Sequence, residues 1–135
     1  MDVFITPEAR QEMEALRVFR MKAGTWGVLV GHRRGFRFIV EKILMAGSAE
    51  TLPDERLLEG LDGVWPGRTI GLIAVRPGVA FRKAVRGPAW YGKLVLEISG
   101  TAGKPALRPA VVEFEKRFFF SPVLLAPARK RRSHE

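Results

Sequence analysis

Seven consecutive residues, Thr69-Ile70-Gly71-Leu72-Ile73-Ala74-Val75, constrain this chain more than any other segment. They carry no charge and show no polar alternation, so they read as a buried central strand rather than one with a face in water. Arg76-Pro77-Gly78 then stops the strand, because proline removes a backbone donor and glycine accepts a sharp turn.

The segments before it supply a sheet and a helix to cover it. Thr6-Pro7-Glu8 is a helix entry, with Thr6 as N-cap and Pro7 at the first helical position, and the spacing predicts a helix from Pro7 to about Arg20. Its apolar positions Ala9, Met13, Leu16 and Phe19 recur near 3.6 residues, which describes an amphipathic helix laid on a sheet. Thr25 to Gly31 reads as a buried strand, His32 to Gly35 as a turn, and Phe36 to Leu44 as the partner strand. Phe36, Phe38 and Val40 should then share the buried face.

After it the pattern is more broken. Residues 47 to 68 read as a connection with a short helix from Pro53 to Leu61, and Arg76 to Ala89 as an irregular loop punctuated by Pro77, Gly78, Gly87 and Pro88. Strands are predicted at 92–98 and 110–114 around a turn at 100–105, and a bent extended segment covers Phe118 to Leu125. The expected whole is one α+β domain over residues 1–127, a central mixed sheet with an N-terminal amphipathic helix packed on it, followed by a basic disordered tail over 128–135.

Composition excludes several kinds of chemistry. The 135 residues contain no cysteine, hence no disulfide framework and no thiolate metal site, which suits a reducing cytoplasm. The two histidines, His32 and His134, are far apart, and His32 reads as a turn residue. The start of the chain has no basic and apolar leader, and no stretch is long and apolar enough to span a membrane, so no membrane partner is expected. Ser48, Ser99, Ser121 and Ser133 stand in no nucleophile motif, and no glycine-rich phosphate loop with lysine occurs.

The charge is unevenly placed. Residues 1–62 hold nine Lys/Arg against ten Asp/Glu, whereas 63–135 hold fourteen against four, a net of +10 that raises the prospect of an acidic partner.

The central strand and its neighbours resemble the JAB/MPN (JAMM) metalloprotease family. In that family a strand ends in Gly-x-x-His-x-His-Pro-Gly. Here Gly71, Pro77 and Gly78 stand at the framework positions, while Ala74 and Arg76 occupy the two histidine places. Gly27-Val28-Leu29-Val30-Gly31 matches the family's Gly-x-Leu-x-Gly strand. Gly24 falls at its preceding glutamate, and Ala84 and Gly87 fall near its Ser-x-x-Asp. The resemblance runs over about residues 3–125 and implies a degenerate former site. A methyl group, a hydrogen or a guanidinium offers no lone pair to a divalent metal, so no metal, no cofactor and no hydrolytic activity are expected.

Two functions from different classes then compete. Inactive members of the family act by binding other proteins, which implies a protein-interaction module, a homodimer being one form of it. Trp65, Trp90 and Tyr91 are candidate anchors, unless they close over the core. The alternative partner is nucleic acid, met by Arg68, Arg76, Arg82, Lys83, Arg86 and Lys93, a run of six cations without an acid from 63 to 96, with Trp90 and Tyr91 stacking on bases. Arg129-Lys130-Arg131-Arg132 adds charge in the tail. Glu41 and Glu97 are expected in structural ion pairs.

Overall fold

A computed structural model describes residues 1–18, 22–101 and 104–127. The element order is β1 (Asp2–Ile5), α1 (Pro7–Val18), β2 (Trp26–Arg34), β3 (Arg37–Gly47), α2 (Glu55–Val64), β4 (Thr69–Val75), α3 (Val79–Val85), a single 3-10 turn at Pro88–Trp90, then β5 (Leu94–Thr101), β6 (Lys104–Glu115), β7 (Arg117–Pro122) and β8 (Leu124–Leu125). The eight strands form one mixed sheet in the order β7-β6-β5-β4-β2-β3-β1-β8.

The nearly all-apolar segment behaves as its composition demands. Every residue of β4 is buried, and the strand lies between β2, which it pairs antiparallel, and β5, which it pairs parallel. Two apolar clusters cover its two faces. Ile70 and Ile73 join Val3, Ile5, Leu29, Phe38 and Leu94 in the first, onto which Met13 and Leu16 of α1 pack. Leu72 and Ala74 join Trp26, Phe81, Val85 and Trp90 in the second, beneath α2 and α3. Gly71 is a position where only glycine fits, because a Cβ there would lie 2.0 Å from the Leu94 carbonyl oxygen of β5.

The helix entry is as read. The Thr6 hydroxyl accepts the Ala9 N–H at 3.2 Å, and Glu12 reaches across to accept the Ile43 N–H at 2.8 Å, tying α1 to β3. Phe19 and Arg20, expected to finish this helix, and the basic tail from 128 onward lie outside the described residues.

The expected α+β architecture, a single MPN-like domain whose central sheet carries an N-terminal helix, is corrected. Strands hold nearly twice as many residues as helices, and the sheet curls toward a closed barrel. The reason lies after residue 99. The sequence there suggests a short strand and a bent segment, but β6 runs for 12 residues and pairs β5 along its whole length on one side and β7 on the other. A single residue, Val123, then carries the chain from β7 at one edge of the sheet to β8 at the other, where Leu124 pairs Asp2 of β1. Val123 donates to the Pro109 carbonyl of β6 and Ala126 to the Val3 carbonyl of β1, so the two ends of the strand order meet.

Three local expectations also change. The hairpin turn is Gly35–Phe36 rather than His32–Gly35. Gly35 takes φ +56° as the first position of a two-residue turn, which carries Phe36 off the buried face and leaves it 77% exposed. His32 is therefore a strand residue, with Nδ1 2.7 Å from a Glu41 carboxylate oxygen. The expected loop after Pro77 contains α3, which Phe81 and Val85 hold against the second cluster. No helix among the described residues is long and apolar enough to cross a membrane.

Candidate functional site

Of the positions singled out by the JAB/MPN resemblance, Gly24, Ala74 and Arg76 lie around the end of β4, while Ala84 and Gly87 lie elsewhere. The Gly24 N–H donates to the Val75 carbonyl at 2.7 Å, the Val75 N–H donates to the Thr25 carbonyl at 2.8 Å, and Trp26 stands opposite Ala74 in the sheet. Ala74, with no exposed surface, is packed in the same cluster as Val85 and Trp90, so it lies in the core rather than facing a cavity. Arg76 is exposed at φ +42°, with its N–H donating to the Ile98 carbonyl at 2.7 Å. Ala84 and Gly87 border a neighbouring cleft of about 460 Å³ with Pro53, Asp54, Glu55 and Trp90. Asp54 is committed there as the cap of α2, its Oδ1 accepting the Leu57 N–H at 2.9 Å.

The sheet register sets one carboxylate beside this strand end, since Glu97 pairs with Ala74 across β4 and β5. Both of its oxygens are taken by Arg82, at 2.7 Å from Nη2 and 3.2 Å from Nε. The hydrogen bond to Glu97 holds the Arg82 guanidinium above its ordinary arginine range. Among the described residues no three or more His, Cys, Asp or Glu side chains come together as metal ligands would.

The cationic run is partly consumed by the fold itself. Besides Arg82, Arg68 donates to the Gly31 carbonyl at 2.8 Å and to Glu41 at 2.9 Å, and the Lys93 ammonium donates to the Thr69 carbonyl at 2.8 Å. Glu41 and Glu97 thus stand in ion pairs with Arg68 and Arg82. Lys83 and Arg86 are exposed on α3 and just beyond it.

The predicted aromatic anchors separate. Trp90 is 1% exposed and fills the second core cluster, which removes it from any surface role. Trp65 is partly exposed at the end of α2. Tyr91, one residue beyond Trp90, is 55% exposed, and it is joined by residues that the sequence reading did not single out. Phe118 lies 6.4 Å from Tyr91 at 72° between ring planes, and Phe114 lies 4.8 Å from Phe118 at 53°. Phe114 is itself 54% exposed, and with Pro88 the three rings line an open hollow of about 330 Å³. Arg86 continues this ledge, its guanidinium 5.7 Å from the Phe120 ring centroid.

Two structural choices build the ledge. The β6–β7 hairpin sets Phe114 opposite Phe118 and Val112 opposite Phe120, so strand alternation sends all four to one face. Val112, Phe118 and Phe120 continue the second core cluster outward, while Phe114 stands over the rim. The 3-10 turn Pro88–Trp90 buries Trp90 and thereby turns Tyr91 outward. The available sequence signal was the pair Phe118 and Phe120 at strand spacing, four and six residues past Phe114 with a tight turn between them.

No family model matches the chain, and no curated protein matches it. Among solved structures it is similar to protein DSY2949 from Desulfitobacterium hafniense, at 17% identity and a TM-score of 0.64, covering 98% of this chain and 96% of that one. It is also similar to a protein from Salinibacter ruber, at 14% identity and a TM-score of 0.51, covering 95% and 94%. At such identities the likeness is one of fold.

Proposed function

We propose that this chain is a non-catalytic protein-interaction module whose working surface is the ledge of Tyr91, Phe114 and Phe118. One observation carries the reading: the exposed rings of Tyr91 and Phe114 both stand against the half-buried ring of Phe118, and contiguous apolar area at a surface is costly unless something covers it. Side-chain chemistry supports the non-catalytic part, since Gly24, Ala74, Arg76, Ala84 and Gly87 offer no carboxylate, imidazole or hydroxyl. The non-catalytic part rests on the JAB/MPN resemblance, which singled out those five positions, whereas the docking surface does not depend on it. A cytoplasmic setting fits the cysteine-free composition, and a second copy of the chain is one partner of the right kind.

The test uses the full chain as bait at moderate salt, followed by purification of a retained protein and a binding titration. Tyr91→Ala and Phe114→Ala should each weaken that complex roughly tenfold or more, with the far-ultraviolet spectrum unchanged. Unaltered affinity in both variants would remove the ledge as the working surface.

A second reading, single-stranded nucleic acid, is favoured by Arg86 standing over the Phe120 ring, two residues along β7 from Phe118, with Lys83 exposed on α3. With Arg68, Arg82 and Lys93 engaged internally, this reading assigns Lys83 and Arg86 to phosphates. The logarithm of affinity should then fall against the logarithm of salt with a slope of about −1.4. Binding that ignores salt, or is absent at about 50 mM, would discard it.

A further inference from the structure

Building on the ledge as a docking surface, we propose that its occupant is a proline-rich segment in the polyproline II conformation with acidic residues at one end. Ring geometry is the first argument. Tyr91 and Phe114 are each inclined steeply to Phe118, by 72° and 53°, so the surface is corrugated into slots between ring edges. Planar bases stack best on flat faces held parallel, whereas puckered pyrrolidine rings fill slots. The protein already places one such ring in this setting, because Pro88 lines the same hollow.

The second argument is conformational entropy. The hollow is open and holds about 330 Å³, and an occupant ordered before it binds loses less conformational entropy there than a flexible one. A polyproline II strand is largely ordered before it binds and has no internal hydrogen bonds, so its carbonyls stay available to donors. The Tyr91 phenol and the Arg86 guanidinium are donors of that kind on the rim.

Charge supplies the third argument. Arg86 borders the ledge over the Phe120 ring, and Lys116 stands at the tip of the β6–β7 hairpin, two residues from both Phe114 and Phe118. The acids of that hairpin, Glu113 and Glu115, alternate to the opposite face of the sheet. A carboxylate following the prolines therefore meets cations and not its own kind.

Titration of the isotope-labelled full chain with a synthetic peptide of four prolines and two terminal glutamates tests this. Amide shifts should concentrate at Tyr91, Gly92, Phe114 and Phe118. Replacing the peptide's prolines with alanine should weaken binding at least tenfold, and replacing its glutamates with lysine should weaken it severalfold. Tyr91→Ala should weaken the unmodified peptide about tenfold. Equal binding of the alanine peptide, shifts away from the ledge, or tighter binding of a thymidine oligonucleotide at the same amides overturns the proposal. If the captured partner is lost on Tyr91→Ala yet no proline peptide binds, this inference fails while the docking surface stands. If that partner is retained, both fail.

Discussion

Thr69 opens the central strand with its side-chain oxygen buried and, among the described residues, without a hydrogen-bond partner, although its carbonyl accepts from Lys93. A buried hydroxyl left unsatisfied costs about 1–3 kcal/mol, and valine has nearly the same shape without the polar atom. Thr69→Val should therefore stabilise the protein by about 1 kcal/mol, seen as a higher denaturant midpoint at unchanged slope; a lower midpoint would mean that the hydroxyl has a partner in solution. Residue chemistry was also the most legible layer in the sequence. That Ala74 and Arg76 cannot ligate a metal follows from their atoms alone. That Trp90 is core while Tyr91 is surface does not, because adjacent aromatics differ only in how the 3-10 turn aims them.

At the level of elements, β1 is held beside β3 by its parallel pairing and by a two-pronged ion pair, Arg37 donating to Asp2 at 2.7 and 2.8 Å. The hydrogen bond to Arg37 depresses the Asp2 pKa below its ordinary value of 3.8. A depressed carboxylate pKa means that the unfolded chain binds more protons, so the pair's contribution is complete above about pH 4 and fades as pH falls through the folded value. Asp2→Asn should lower the denaturant midpoint slightly at pH 7 and match the parent at the acid end of the transition. A gap that persisted or widened in acid would refute this assignment. The α1 entry at Thr6-Pro7 and the β2–β3 pairing were readable because each rests on local signals, a cap and two apolar runs near a glycine turn. The turn itself was misplaced by its cationic residues. Arg33 and Arg34 look like loop, yet they extend the strands because Gly35 alone provides the left-handed residue the turn needs. Likewise α3 was hidden by its flanking glycines and prolines, and only Phe81 and Val85 meeting the core make so short a helix stable.

For the molecule as a whole, the consequential step is the single residue Val123 that joins the two edges of the sheet. Ending the chain after Pro122 removes β8 and leaves β1 as an open parallel edge. Such a truncation should lower the melting temperature by several degrees and make sedimentation concentration-dependent, and an unchanged monomer would show that closure contributes little. The aromatic ledge also belongs to this scale, since it exists only where β6 and β7 bring Phe114 to Phe118 and the chain after α3 sets Tyr91 against them. Sequence alone determined that Thr69–Val75 must be buried, that helix α1 begins at Pro7, and that the five positions Gly24, Ala74, Arg76, Ala84 and Gly87 offer no metal-ligating side chain, because those depend on hydropathy, backbone chemistry and the side-chain atoms each residue carries. The curl of the sheet, the place of Glu97 next to Ala74, and the surface that three separate aromatics make together were decided by tertiary structure. They depend on strand register and edge closure between distant segments, which no local pattern records.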